Sequence, residues 1–202
     1  MTKKILITGA NGQLGHEMRN ALKGNNRFEC IFTDVAELDI CNAEAVKQII
    51  ADNHIDYIVN CAAYTQVDKA EDNAELCKKI NTDAVENLAR AAATYGARMI
   101  HISTDYVFNG RGYRPYTEDV VPDPQSVYGS TKLEGEKILT DICPESIIIR
   151  TAWLYSPYGN NFVKTMLHLG EEREELSVVA DQIGTPTCAA DLAQAILVIL
   201  QA

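Results

Sequence analysis

No run of about 18 consecutive apolar residues occurs in the 202-residue chain, so no membrane-spanning helix and no membrane partner are expected. Basic residues are scarce: 18 Lys and Arg stand against 28 Asp and Glu, a formal net charge of −10. Nucleic-acid binding draws on clustered Lys and Arg, so no nucleic-acid partner is expected. The six cysteines, Cys30, Cys41, Cys61, Cys77, Cys143 and Cys188, include no C-x-x-C pair, and no Cys/His cluster has zinc spacing. No metal site is expected. Most of the thiols sit among apolar neighbours, as in "VNCAA", and read as small buried hydrophobes in a reducing compartment. The opening "MTKKILITGA" lacks the long apolar core and the cleavage site of a signal peptide. It reads as a first strand, and a cytoplasmic location is the expectation. Repeats and low-complexity segments are also missing.

What is present is alternation. "KKILITG", "ECIFTD", "YIVNCAA", "RMIHIST", "SIIIRT" and "LSVVAD" read as strands. Between and after them, "GHEMRNALKG", "NAEAVKQIIADN", a long stretch from about Lys69 to Tyr95 with a break near Asn81, "STKLEGEKILTD", "NFVKTMLHLGEE" and "AADLAQAILVIL" read as helices. Strand–helix alternation implies an α/β fold: a doubly wound parallel sheet with helices on both faces. The strands are apolar runs rather than strict alternators, as expected when both faces are covered. One long irregular region, about Asn109 to Gln125, is rich in Gly and Pro, and loops of that length are often functional.

"ITGANGQLGHE" carries Gly9, Gly12 and Gly15 between a strand and a helix, the context that gives a glycine pattern meaning. A pyrophosphate touches main chain only where no Cβ intervenes, and the helix N-terminus supplies unpaired N–H groups. The spacing therefore predicts a Rossmann-type dinucleotide site, with Asn11, Gln13 and Leu14 in the same loop. A turn glycine plus two packing glycines is the alternative. Asp34 ends the second strand, 19 residues after Gly15, where an acid bonds the ribose hydroxyls of NADH and repels the additional phosphate of NADPH. NADH is thus favoured over NADPH, unless Asp34 is only a strand-end turn residue. Asp39, with Ile40, lies in the next loop, within reach of an adenine or serving as a helix N-terminal acid. "NCAAYTQVD" ends a strand, so Ala62, Ala63 and Tyr64 should border the cofactor.

"YGSTK" places Tyr128 and Lys132 one helical turn apart. With nine tyrosines, such a pair is expected roughly 0.4 times by chance, so position must decide. The pair opens a helix 24 residues after a strand ending in Ser103 and Thr104. Ligands of open parallel sheets bind beyond the carboxyl ends of the strands, so Thr104 and Tyr128 should meet at one crevice. A free phenol titrates near pH 10; a neighbouring ammonium favours the phenolate and lowers that value. Lys132 on the same helical face is expected to do so. His101, inside a buried strand, reads as a packed neutral imidazole.

Taken together, "TGANGQLG", "NCAAYTQVDKAE", "HISTDYVF", "YGSTK", "RTAWLY" and "DQIGTPT" resemble the extended short-chain dehydrogenases, and within them the dTDP-4-dehydrorhamnose reductase branch. The resemblance implies that a reduced nicotinamide gives hydride to the C4 ketone of a dTDP-linked 6-deoxy-4-keto-hexose. It implies that Tyr128 protonates the forming alkoxide, that Lys132 holds the nicotinamide ribose, and that Thr104 bonds the substrate oxygen. It points Thr65, Val67, Tyr106 and Trp153 toward the sugar. Trp153 as a core ring and Asp105 as a turn cap rather than a sugar contact are the alternatives, while Asn81 is expected to bond backbone rather than ligand. A homodimer pairing the helices after Lys69 and after Ser126 is expected by analogy. Members of the branch run on past "DQIGTPT", so residues 1–202 are expected to be one dinucleotide-binding domain whose sugar part, about 152–202, is incomplete. Such a chain should fold and bind dinucleotide but handle sugar poorly. Two rivals stay open: an epimerase or dehydratase on the same scaffold, and a non-catalytic subunit that keeps the fold. A dehydratase would want Asp-Glu after the strand-end threonine, where this chain has Asp105-Tyr106.

Overall fold

A computed structural model describes residues 2–117 and 119–202. Five strands form one wholly parallel sheet in the order β2-β1-β3-β4-β5: β1 (Lys3–Thr8), β2 (Phe28–Thr33), β3 (Tyr57–Asn60), β4 (Arg98–Thr104) and β5 (Ile147–Thr151). The order reverses between β1 and β3, which is where such sheets open a ligand crevice.

Successive side chains along a strand point to opposite faces, and here both faces are apolar. Ile5, Ile7, Val59 and Ile100 meet α1 (Gln13–Ala21) and α8 (Ala189–Gln201). Leu6, Ile58 and Met99 meet α2 (Ala43–Asn53), α5 (Ala84–Tyr95) and α6 (Val127–Ile142) on the other face. The doubly wound architecture read from the apolar runs is therefore the observed one. The final helix, α8, seals the sheet face beside α1 through Leu192, Ala193, Ile196, Leu197 and Leu200.

Helix starts follow side-chain chemistry. Ser126 accepts from the Gly129 N–H at 3.0 Å and fixes the start of α6, while Asn42 and Asn161 do the same for α2 and α7 (Phe162–Glu172). The expected break near Asn81 is a π-helical turn, Lys79–Asp83, between α4 (Ala74–Lys78) and α5; α3 (Val67–Asp72) precedes it. Residues 109–125 form neither helix nor strand, with Glu118 outside the described residues.

"LSVVAD" is a correction: residues 176–181 form no strand. Val178 and Val179 stand exposed, and among the described residues no neighbouring strand takes up the segment's backbone groups. Apolar content suggests a strand but does not supply the ladder that makes one. The short pair of β6 (Leu154–Tyr155) with β7 (Thr187–Cys188) was not anticipated. No helix among the described residues is long and apolar enough to cross a membrane. The six cysteines are free thiols.

One ion pair joins α6 to the outer strand. Arg150 on β5 bonds both carboxylate oxygens of Glu136, Nε at 3.0 Å and Nη2 at 2.6 Å, and its guanidinium also covers the Phe108 ring. The carboxylate is buried, whereas the guanidinium is partly exposed. Losing the cation leaves a buried charge without a partner, while losing the anion leaves a guanidinium that water can reach. Arg150→Met should therefore cost about 3–5 kcal/mol and Glu136→Gln only about 1–2 kcal/mol in urea unfolding. Equal losses would show that the pair's burial is symmetric.

Candidate active site

Every described feature of the candidate site lies where strands end on the carboxyl side of the sheet. β1 runs into the glycine loop, β3 into residues 61–66, and β4 into a 3-10 turn, Asp105–Val107. Gly9 leaves β1 with φ +63, and a Cβ there would stand 2.7 Å from both Cα and N of Ala62. The two loops thus pack main chain on main chain at the point where strand order reverses, which only glycine permits. A Cβ on Gly15 would run into the Gly9 carbonyl and Ala10, so Gly15 is also demanded by the loop's own packing. Gly12 differs: a Cβ there would meet only the Gly9 carbonyl, at 3.3 Å. Gly12 is the N-cap of α1, no side chain caps the helix, and its first turn holds no acid. The main-chain N–H groups of Gln13, Leu14 and Gly15 are those an anion would take.

The side chains of that turn point elsewhere. Leu14 is in the core. Gln13 Oε1 accepts from Asn161 Nδ2 at 2.8 Å, tying the loop to the segment after β6. Asn11 donates its N–H to Asp34 Oδ2 at 2.9 Å, so the carboxylate at the end of β2 is fixed beside the loop. Asp34 also bonds within its own turn, to the Val35 N–H, and its N–H donates to Glu37. Asp39 is exposed and accepts from the Cys41 N–H ahead of α2. Ile40 is buried in the core, and its carbonyl accepts from Asn87 Nδ2 at 3.1 Å.

Tyr128 lies against the end of β4. A Cβ on Gly129 would strike the Tyr106 carbonyl, so the glycine inside Y-x-x-x-K lets the first turn of α6 press on the β4 turn. Local sequence does not mark Gly129, because its need to lack a side chain arises from the Tyr106 carbonyl in another element. The Tyr106 and Tyr128 rings meet edge to face, centroids 5.5 Å apart. Tyr128 also packs with Tyr64, Val67, Ala70 and Cys77. Thr104 caps the turn by accepting from the Tyr106 N–H, and its hydroxyl donates to Asp105 Oδ1 at 3.2 Å. Asn81 takes the structural role: its side-chain amide accepts from the Tyr64 N–H at 2.9 Å and donates to the Tyr64 carbonyl at 3.1 Å. Ala62 and Ala63 are half-buried beside Tyr64, and Thr65 is exposed.

The electrostatics correct one expectation. The Tyr128 phenol is not lowered but pushed up to about 12. Burial does most of this; the Thr104 hydroxyl opposes it, while Asp105, Tyr106 and Cys77 add to it. Only 1% of Lys132 is exposed, and burial brings it down to about 8. Its Nζ is turned to His101 Nε2 at 3.2 Å and to the Ile102 carbonyl at 2.7 Å. Burial likewise raises the Asp105 carboxyl.

Trp153 is not a core ring. It is 45% exposed with φ +47, and a Cβ on Gly184 would lie 2.7 Å from the indole, so Gly184 of "DQIGTPT" packs against it. Its contacts with Gly184 and Thr187 lie outside the Thr104–Tyr128 cluster. Among the described residues, no group of three or more His, Cys, Asp or Glu is placed to hold a metal ion.

The geometry is matched by relatives. The Escherichia coli K12 dTDP-4-dehydrorhamnose reductase is 48% identical over 193 residues, 94% of this chain and 64% of that protein. A crystal structure of a dTDP-4-dehydrorhamnose reductase from Clostridium acetobutylicum superposes with a TM-score of 0.95 at 52% identity, covering 98% of this chain and 70% of that one. A Bacillus anthracis dTDP-4-dehydrorhamnose reductase, solved in complex with NADP, superposes at 0.96 with 44% identity over 100% of this chain and 72% of that one. The chain thus spans about two thirds of the length of the relatives it matches. The family model described as the RmlD substrate binding domain matches residues 3–202, and this chain belongs to that family.

Proposed function

We propose that this chain is the dinucleotide-binding and proton-donating part of a reductase acting on the C4 ketone of a dTDP-linked 6-deoxy-4-keto-hexose, dTDP-4-dehydrorhamnose. The observation that carries the reading is the convergence of Thr104, Tyr106 and Tyr128 beside a glycine loop at the switch point of the sheet. The reductase names of the relatives supply the substrate.

The residues present fit a nicotinamide dinucleotide. Gly12 and the uncapped first turn of α1 would take the pyrophosphate, Asp34 a ribose, and Ala62, Ala63 and Tyr64 would line the path toward Tyr128. The reduced nicotinamide, when bound, supplies the hydride. Tyr128 keeps its proton throughout the neutral range, because its titration lies near 12, and the phenol is therefore a donor to an oxyanion forming beside Thr104. The Thr104 hydroxyl would bond that oxygen, and Tyr106, exposed beside Tyr128, would present ring surface to a sugar. Two carboxylates, Asp34 and Glu37, crowd the end of β2 and favour NADH over a dinucleotide with an added phosphate. The Bacillus anthracis relative, in complex with NADP, makes that preference the point most in need of measurement. A homodimer belongs to the same proposal and rests on the resemblance alone.

Titration calorimetry with NADH, NADPH and dTDP in turn tests the reading; a chain that binds no dinucleotide below about 1 mM ends it. Tyr128→Phe keeps the ring among Tyr64 and Val67 and removes the hydroxyl that carries the proton. In a version extended to the length of its relatives, turnover of the keto sugar should fall about 10²–10⁴-fold with dinucleotide affinity nearly intact, and unchanged turnover there rejects the donor. Asp34→Ser removes about 1 kcal/mol of repulsion, so the NADPH-to-NADH affinity ratio should rise roughly fivefold. An unmoved ratio would take that role from Asp34.

A further inference from the structure

Four polar side chains lie in a continuous line beneath the cleft. Thr8, Asn60 and His101 occupy one register row across β1, β3 and β4, two residues beyond the apolar row Leu6, Ile58 and Met99. Lys132 reaches the end of the row from α6. None of the four is more than 1% exposed.

Their hydrogen bonds leave little freedom. Asn60 Oδ1 accepts from the Ala62 N–H at 3.1 Å and from Thr8 Oγ1 at 2.6 Å. A main-chain N–H can only donate, so the amide oxygen faces Ala62 and the amide nitrogen faces His101. Asn60 Nδ2 therefore donates to His101 Nδ1 at 3.0 Å, and that nitrogen must be bare. A neutral imidazole bare at Nδ1 carries its proton on Nε2, and Nε2 lies 3.2 Å from Lys132 Nζ. An ammonium there would set donor against donor. An amine has a lone pair: it accepts from Nε2–H and still donates to the Ile102 carbonyl at 2.7 Å.

We infer that Asn60 and His101 are positioning residues for Lys132: by fixing the Nε2–H tautomer they favour a retracted, uncharged amine over the ammonium, and that amine takes one proton from solvent when a dinucleotide draws it out. The last step rests on the proposed function; the tautomer and the uncharged amine do not. The surroundings agree. Burial lowers both groups, His101 well below 6.5 and Lys132 to about 8. Cys77 from α4 and Glu136 on α6 favour the ammonium, but Glu136 is already paired with Arg150, and Tyr128, one turn away, keeps its proton. Deprotonation needs only loss of a proton to water, and binding reverses it: –NH2 plus H⁺ gives –NH3⁺.

The test is NMR of the chain carrying 15N-histidine and labelled lysine, with Asn60→Asp as the variant. In the unsubstituted protein His101 should be protonated on Nε2, and Lys132 should titrate near 8. An aspartate at position 60 still accepts from Thr8 and Ala62 but needs a proton on Nδ1. This inverts the tautomer, bares Nε2 as an acceptor and should raise the Lys132 titration by about one unit or more. Calorimetry at pH 9 in buffers of different ionisation enthalpy should find roughly 0.8 proton taken up per dinucleotide bound, and much less in the variant. An Nδ1-protonated His101 in the unsubstituted protein overturns the inference, and this needs neither a folded variant nor a ligand. So does a variant whose Lys132 titrates as before. If no dinucleotide binds, the proposed function fails, while tautomer and titration still decide this point.

Discussion

A parallel sheet buried on both faces has no place for polar side chains except near its strand ends, and this constraint shapes the cleft. Along each strand the residues that pack against helices are apolar until the last positions. There Thr8, Asn60, His101, Ser103 and Thr104 take over while remaining buried. Burying such groups is costly unless each finds a partner. Asn60 meets the requirement by serving three neighbours at once: a hydroxyl, a main-chain N–H and an imidazole. Thr8, Asn60 and His101 are therefore ordered by one another before any ligand is considered, whereas the buried Ser103 hydroxyl finds no partner among the described residues.

Close main-chain contact is the second device, and it acts twice. Gly9 brings the turn after β1 against the loop after β3, and Gly129 brings α6 against the turn after β4. The first sets where an anion meets the helix N-terminus, and the second sets where the phenol stands relative to Thr104. Neither contact tolerates a side chain, so the positions of the two halves of the site are fixed by absence of atoms rather than by attraction.

Much of this was legible in the sequence, for identifiable reasons. Doubly buried strands announce themselves as apolar runs, so β1 to β5 and their helices were readable, as was the glycine loop between β1 and α1. "LSVVAD" misled because its composition resembles a strand, while pairing depends on a neighbour that local sequence does not name. Trp153 carried no sign of its left-handed backbone or of the contact between its indole and Gly184, thirty-one residues further on. The Asn60–His101–Lys132 line was invisible for a similar reason: Asn60 and His101 share a row only once register is known, and Lys132 reaches that row from a helix. His101 was correctly read as a buried neutral ring, but its neighbour was not.

The sign of the Tyr128 shift has the same origin. Four residues' separation on a helix suggests a charge beside a phenol, and in water an ammonium would favour a phenolate. Here both groups are buried, and burial opposes any charge, moving phenol up and amine down. Burial thus keeps the phenol neutral and, above about pH 8, the amine as well, so an ion pair at the same spacing is disfavoured in the free protein. Under the proposed function, a bound dinucleotide would replace the water lost around Lys132 and favour its charged form. On this view the helix spacing fixes the distance between the two groups, and the ligand, rather than the sequence, decides when they act on each other.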